Sequence, residues 1–164
     1  MCCAAIAVRC ARNSALKWFN IMRIMGLDYG DKRIGVAVSD PFGLIAQGVE
    51  VITYSGSVKA VLGNVAELVK KYEIELVVIG LPVNMNGSHG PRAEAAKKFA
   101  GRVAGITSLP VELWDERQTT MEAEKMLVGA SLSRLKRRKV IDKVAATLIL
   151  QGYLDRRQVN KPID

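Results

Sequence analysis

The sequence predicts an α/β fold: a mixed five-stranded sheet flanked by helices, with three antiparallel strands followed by strands that alternate with helices. Three observations lead there. From Met22 to Thr53, apolar stretches of strand length are separated by turn chemistry. Behind Ser57 the apolar period lengthens from two residues to three and four. Further on, the apolar runs "ELVVIG" and "VELWD" are each followed by a stretch of helical character, so strands and helices alternate.

Taken in order, residues 23–28 form the first strand and residues 33–39 the second. The second alternates Ile34, Val36 and Val38 with Gly35, Ala37 and Ser39. The intervening "YGDK" has turn chemistry, so the two strands pair antiparallel. A third strand near 44–53 completes a meander. Val58, Val61, Leu62, Val65, Leu68, Val69 and Tyr72 then define a helix, and Ser57 is its N-cap. The continuous apolar run at 75–80 suits a strand buried on both faces. After the loop "LPVNMNGSHGP", Pro91 fits the first turn of a helix reaching about Arg102. "VELWD" (111–115) is the last strand. "TTME" (119–122) offers a capping box for a helix to about Val128. A basic linker, "SLSRLKRRK", leads to a final helix over roughly 140–154. There is no repeat, low-complexity tract or second domain.

A chain of 164 residues is long enough to bury a genuine core in one domain. No apolar run reaches the roughly 18–20 residues of a membrane span, so no membrane association is expected. The net charge of +8 points to a polyanionic partner such as nucleic acid. Cys2, Cys3 and Cys10 all lie near the N-terminus and His89 is the single histidine, which argues against a zinc site and a disulfide framework. Segment 1–21 has Arg9, Arg12 and Lys17 and no acid, but its apolar patch precedes the arginines, contrary to a secretory signal. It is expected to be a disordered extension, or sequence upstream of a start at Met22. Residues 22–155 form the domain and 156–164 a tail.

With one histidine, nucleophilic triads have little to work with. The phosphate loop GxxxxGK[ST] is absent, and so is a GxGxxG after the first strand. Acids remain. Asp28 ends the first strand, Asp115 and Glu116 end the last, and Asp142 opens the final helix on its apolar side. Ala145 and Ala146 let that turn approach the sheet. A buried aspartate is costly unless paired or metal-bound, and Asp28, Glu116 and Asp142 can converge at one end of the sheet. Carboxylates without histidine suit Mg²⁺, with Mn²⁺ as the alternative, and such ions support phosphodiester cleavage. Taken singly, each acid also reads as a turn former or a charge at a helix start. The run "RLKRRK" places Arg134, Lys136, Arg137, Arg138 and Lys139 just ahead of Asp142, where they can contact phosphates.

Four motifs, "GLDYGDKRIGVAVSD", "VVIGLPVNMNGS", "WDERQTTMEAE" and "IDKVAATLILQGYL", together resemble the YqgF family of bacterial proteins, in order and over residues 22–155. The resemblance implies a ribonuclease H-like fold and a metal-dependent nuclease. Its substrate is either the 5′ end of pre-16S ribosomal RNA, in ribosome biogenesis, or a Holliday junction. It implies Asp28, Glu116 and Asp142 as catalytic metal ligands and a cytoplasmic location. Gly26 and Gly30 are expected to leave room for a substrate backbone. Lys32, Arg33 and Arg117, within these motifs, join the basic run as nucleic-acid contacts. A homodimer suits the junction substrate. Two other readings compete. One is a non-catalytic RNA-binding assembly factor, opposed by the retention of all three acids. The other is a phosphate-binding ATPase relative, opposed by the absence of a second lobe.

Overall fold

The computed structural model describes residues 22–54, 57–83, 87, 89–115 and 134–159, with side chains in the last segment from residue 140 onward. The elements are β1 (Arg23–Tyr29), β2 (Arg33–Ser39), β3 (Ala46–Thr53), α1 (Val58–Lys71), β4 (Ile74–Leu81), α2 (Pro91–Thr107), β5 (Val111–Asp115) and α3 (Arg134–Val159). They build the expected mixed sheet in the order β3-β2-β1-β4-β5. β1 and β3 pair antiparallel with β2, while β4 runs parallel to both β1 and β5. Strand β4, buried along most of its length, is interior as its continuous apolar run requires.

The period of two along the strands sorts side chains onto two cores. On one face, Met25, Leu27, Ile34, Val36, Val77 and Ile79 pack with Val61 and Val65 of α1 and Phe99 and Val103 of α2. On the other, Ile24, Ala37, Leu76 and Val78 pack with Ala146, Ile149, Leu150 and Leu154 of α3. Each large side chain buried this way stabilises the fold by roughly 1.5–3 kcal/mol. At the sheet edge, Trp114 meets Tyr153 edge-on at 5.7 Å, and the Tyr153 hydroxyl donates to Glu112 Oε2 at 2.9 Å, tying α3 to β5.

Helix ends follow local chemistry. The Ser57 side chain accepts the Lys59 N–H at 3.2 Å, and Pro91 occupies the first turn of α2. Helix α2 continues past Arg102 to Thr107 and stops where Ser108 turns left-handed, with φ 56°. The basic run is a correction to the sequence reading. Residues 134–139 are not a linker but the first turns of α3, so Asp142 lies inside that helix rather than at its start. Arg, Lys and Leu are good helix formers, and neither Pro nor Gly interrupts the segment. The helix expected from the capping box at 119–122 falls outside the described residues. Among the described residues, no helix is long and apolar enough to cross a membrane.

Candidate active site

The parallel strands β1, β4 and β5 end on one side of the sheet, and α2 begins there after β4. In open α/β sheets ligands bind outside such strand ends. Antiparallel β2 starts at the same end, bringing Arg33 to it.

Gly35 organises the acids. In the β1–β2 register it lies opposite Asp28. Helix α3 crosses it so closely that a Cβ on Gly35 would overlap the Asp142 carbonyl oxygen and stand 3.2 Å from Ala146 Cβ. Asp28 follows Ile24 and Gly26 on the face covered by α3, so alternation turns it to the side that carries Asp142. Tyr29, on the opposite face, stacks on Phe99 with ring centroids 4.6 Å apart and anchors the strand end.

The charges register this proximity. Burial first, and then the negative charge of Asp142, push the Asp28 carboxyl up from 3.8 to about 6, while Arg92 pulls it back down. Arg33 Nε lies 3.1 Å from Asp142 Oδ2, an ion pair whose side chains are only 21% and 26% exposed. The backbone of Arg33 is fixed by the hairpin, because its carbonyl accepts the Gly30 N–H at 3.0 Å.

Two glycines serve other ends than expected. The space at Gly26 is filled by α3, since a Cβ there would lie 2.7 Å from Leu150 Cβ and 3.2 Å from the Ala146 oxygen. At Gly30 a Cβ would come 2.7 Å from the Arg33 carbonyl oxygen, so this glycine closes the hairpin. Both make room for the chain itself rather than for a substrate backbone.

The remaining predicted residues divide. Lys32 is exposed in the hairpin turn, and its carbonyl accepts the Tyr54 N–H. Asp115 is exposed at the end of β5, one register step past Trp114 and so on the sheet face away from α3. Glu116 and Arg117 lie outside the described residues. For Arg134, Lys136, Arg137, Arg138 and Lys139 the backbone alone is described; it occupies the turns of α3 that precede Asp142, at the site's end of the helix. Arg92, whose charge acts on Asp28, escaped the sequence reading. Its position in the first turn of α2, directly after the loop leaving β4, was the available signal. His89 is an exposed loop residue that bridges to Val83.

Among the described residues no group of three or more His, Cys, Asp or Glu converges. Asp28 and Asp142 nevertheless form an all-oxygen, hard donor pair in which burial, and then its neighbour's charge, already disfavour ionisation of Asp28. Those residues fit a hard divalent cation, which takes carboxylate and water oxygens.

A family model described as RuvX, Holliday junction resolvase, matches residues 22–156. A protein of Pelotomaculum thermopropionicum named "Putative pre-16S rRNA nuclease" is 62% identical over 134 residues, covering 82% of this chain and 87% of its own. A Bacillus subtilis protein of the same name is 54% identical over 135 residues, covering 82% of this chain and 98% of its own. The structure of Thermus thermophilus RuvC with a Holliday junction substrate aligns with a TM-score of 0.55 at 18% identity, over 87% of this chain and 99% of that one. At that identity the likeness shows the fold, which is ribonuclease H-like. The match over the whole domain and the identity to these relatives show that the chain belongs to the RuvX family, also known as YqgF, a family of nucleases.

Proposed function

We propose that this nuclease processes the 5′ end of pre-16S ribosomal RNA in the cytoplasm, using Mg²⁺ held by Asp28, Asp142 and Glu116. The observation that carries the chemistry is the meeting of Asp28 and Asp142 over Gly35. The names of the relatives favour a pre-16S rRNA substrate. When bound, Mg²⁺ activates water and stabilises the leaving oxygen. The chain's own residues do the rest. The sheet and α3 hold the two carboxylates, with Glu116, the next residue in sequence after β5, as the third ligand of this reading. Asp28 is half-buried at the strand end, which leaves it partly open to a bound ion and its waters. The basic turns of α3, with Lys32 and Arg117, hold the phosphate backbone through contacts that give affinity without sequence preference. Residues 22–155 suffice for this activity.

A second reading, cleavage of a four-way DNA junction, is favoured by the description of the family. Symmetric cutting of a junction requires two sites related by a two-fold axis, hence a homodimer. Cleavage of a ribosomal RNA precursor and a four-way DNA junction, side by side with Mg²⁺ and Mn²⁺, separates the two. The RNA should be trimmed at its 5′ end by wild type and not by Asp28→Asn. Cleavage of the junction alone would transfer the assignment to DNA. Cell complementation by Asp28→Asn would favour a non-catalytic assembly factor.

A further inference from the structure

We infer that Arg33 is a stand-in cation for the metal site: its guanidinium neutralises Asp142 in the metal-free protein, and a divalent ion must displace it to bind. The inference rests on the reading of Asp28 and Asp142 as metal ligands. Its own support is the 3.1 Å contact between Arg33 Nε and Asp142 Oδ2, in a pair largely withdrawn from solvent. A pair so placed is screened less than a surface one.

The geometry around Arg33 makes it suited to exchange. Its backbone is pinned by the Gly30 N–H and by pairing with Thr53 of β3. Arg33 precedes Gly35 by two residues, so both face α3 and the guanidinium reaches over the platform where the acids meet. Displacement therefore needs side-chain torsions alone. A guanidinium is a strong, delocalised cation, so Arg33 can stand where a metal charge would. Two crowded carboxylates can then remain in place before a metal arrives. The Lys97–Glu94 ion pair, by contrast, is an i,i+3 pair on α2 and does not serve the site.

Arg33 is thus a positioning residue that acts through Asp142. A purely structural ion pair predicts that cutting it disturbs Asp142 and weakens metal binding. A stand-in cation predicts the opposite sign: lower stability without metal, tighter binding with it. The test is calorimetric titration of the full chain with Mn²⁺, alongside melting curves in chelator, for wild type, Arg33→Gln, Arg33→Lys and Asp28→Asn. Arg33→Gln should melt lower than wild type in chelator and bind Mn²⁺ about three- to tenfold more tightly. Arg33→Lys keeps the charge but loses the planar fork, and should bind more tightly than wild type by a smaller factor. Arg33→Gln binding Mn²⁺ no tighter than wild type, while Asp28→Asn loses binding, overturns the inference and leaves the metal site standing. Wild-type Mn²⁺ binding that does not depend on Asp28 overturns the site, and the exchange with it. Should Arg33→Gln fail to fold, Arg33→Lys decides, and wild-type affinity in that variant overturns the inference.

Discussion

Gly35 and Asp142 meet backbone to backbone, with no space between strand and helix for one added carbon. Because Asp28 lies across from Gly35, that single contact sets the distance between two acids. Gly35→Ala should push α3 outward, cost about 1–3 kcal/mol of stability and sharply reduce cleavage. Gly63→Ala is the control: in α1, with nothing within 4 Å of the added carbon, it should stabilise by roughly 0.5–1 kcal/mol. Denaturant unfolding of both, paired with a cleavage assay, checks this.

Asp28 weakens the metal-free fold when it ionises. Folding raises its pKa from 3.8 to about 6, through burial first and Asp142 second. The folded state then holds the proton more tightly than the unfolded chain. The associated stability is fully present below about pH 4 and is lost as pH rises through about 6. In chelator, Asp28→Asn should melt with wild type near the acid end and above it at neutral pH, by up to about 3 kcal/mol. It should also lose most of the stabilisation that Mg²⁺ gives wild type, and hydrolysis with it. Melting curves from about pH 4 to about pH 7, with and without Mg²⁺, measure this. A variant that melts below wild type at neutral pH in chelator would mark Asp28 as structural.

Neutralising two of Arg134, Lys136, Arg137, Arg138 and Lys139 should weaken RNA binding similarly across sequences. The log–log salt slope should flatten by up to about one unit for each lost phosphate contact. Titrations at several salt concentrations read both quantities. Unchanged affinity and slope would make the run a solvated helix start.

Removing residues 1–21 should leave melting temperature and cleavage nearly unchanged, since the family match begins at Met22. A large drop in either, compared with the full chain, would assign the segment a place on the domain.

Much of this architecture is legible in the sequence because local rules and tertiary demands agree. Ser57 caps a helix whose apolar stripe is also the buried one, and the Ile34, Val36, Val38 alternation matches the two faces of a central strand. The start of α3 is not legible in that way, because five cations in "RLKRRK" look the same as a linker or as a helix. Gly26 and Gly30 show the limit from another side. A glycine signals close approach, but nothing local says that Leu150 and the Arg33 carbonyl are what approach. Asp28 and Asp142 could be singled out from their placement in strand and helix. The Arg33 partner and the Arg92 charge depend on the folded arrangement, and the sequence separations hide both.

Helix α3 also bears on when this enzyme comes into being. Asp28 leaves the ribosome among the first residues of the domain, and Asp142 among the last. The platform cannot form until Ala146 and Leu150 dock on Gly35 and Gly26. A nascent chain that has released all five strands therefore still lacks Asp142 and has one uncovered sheet face. Loop closure across the whole domain must precede any cutting, which makes hydrolytic competence the last property that synthesis confers.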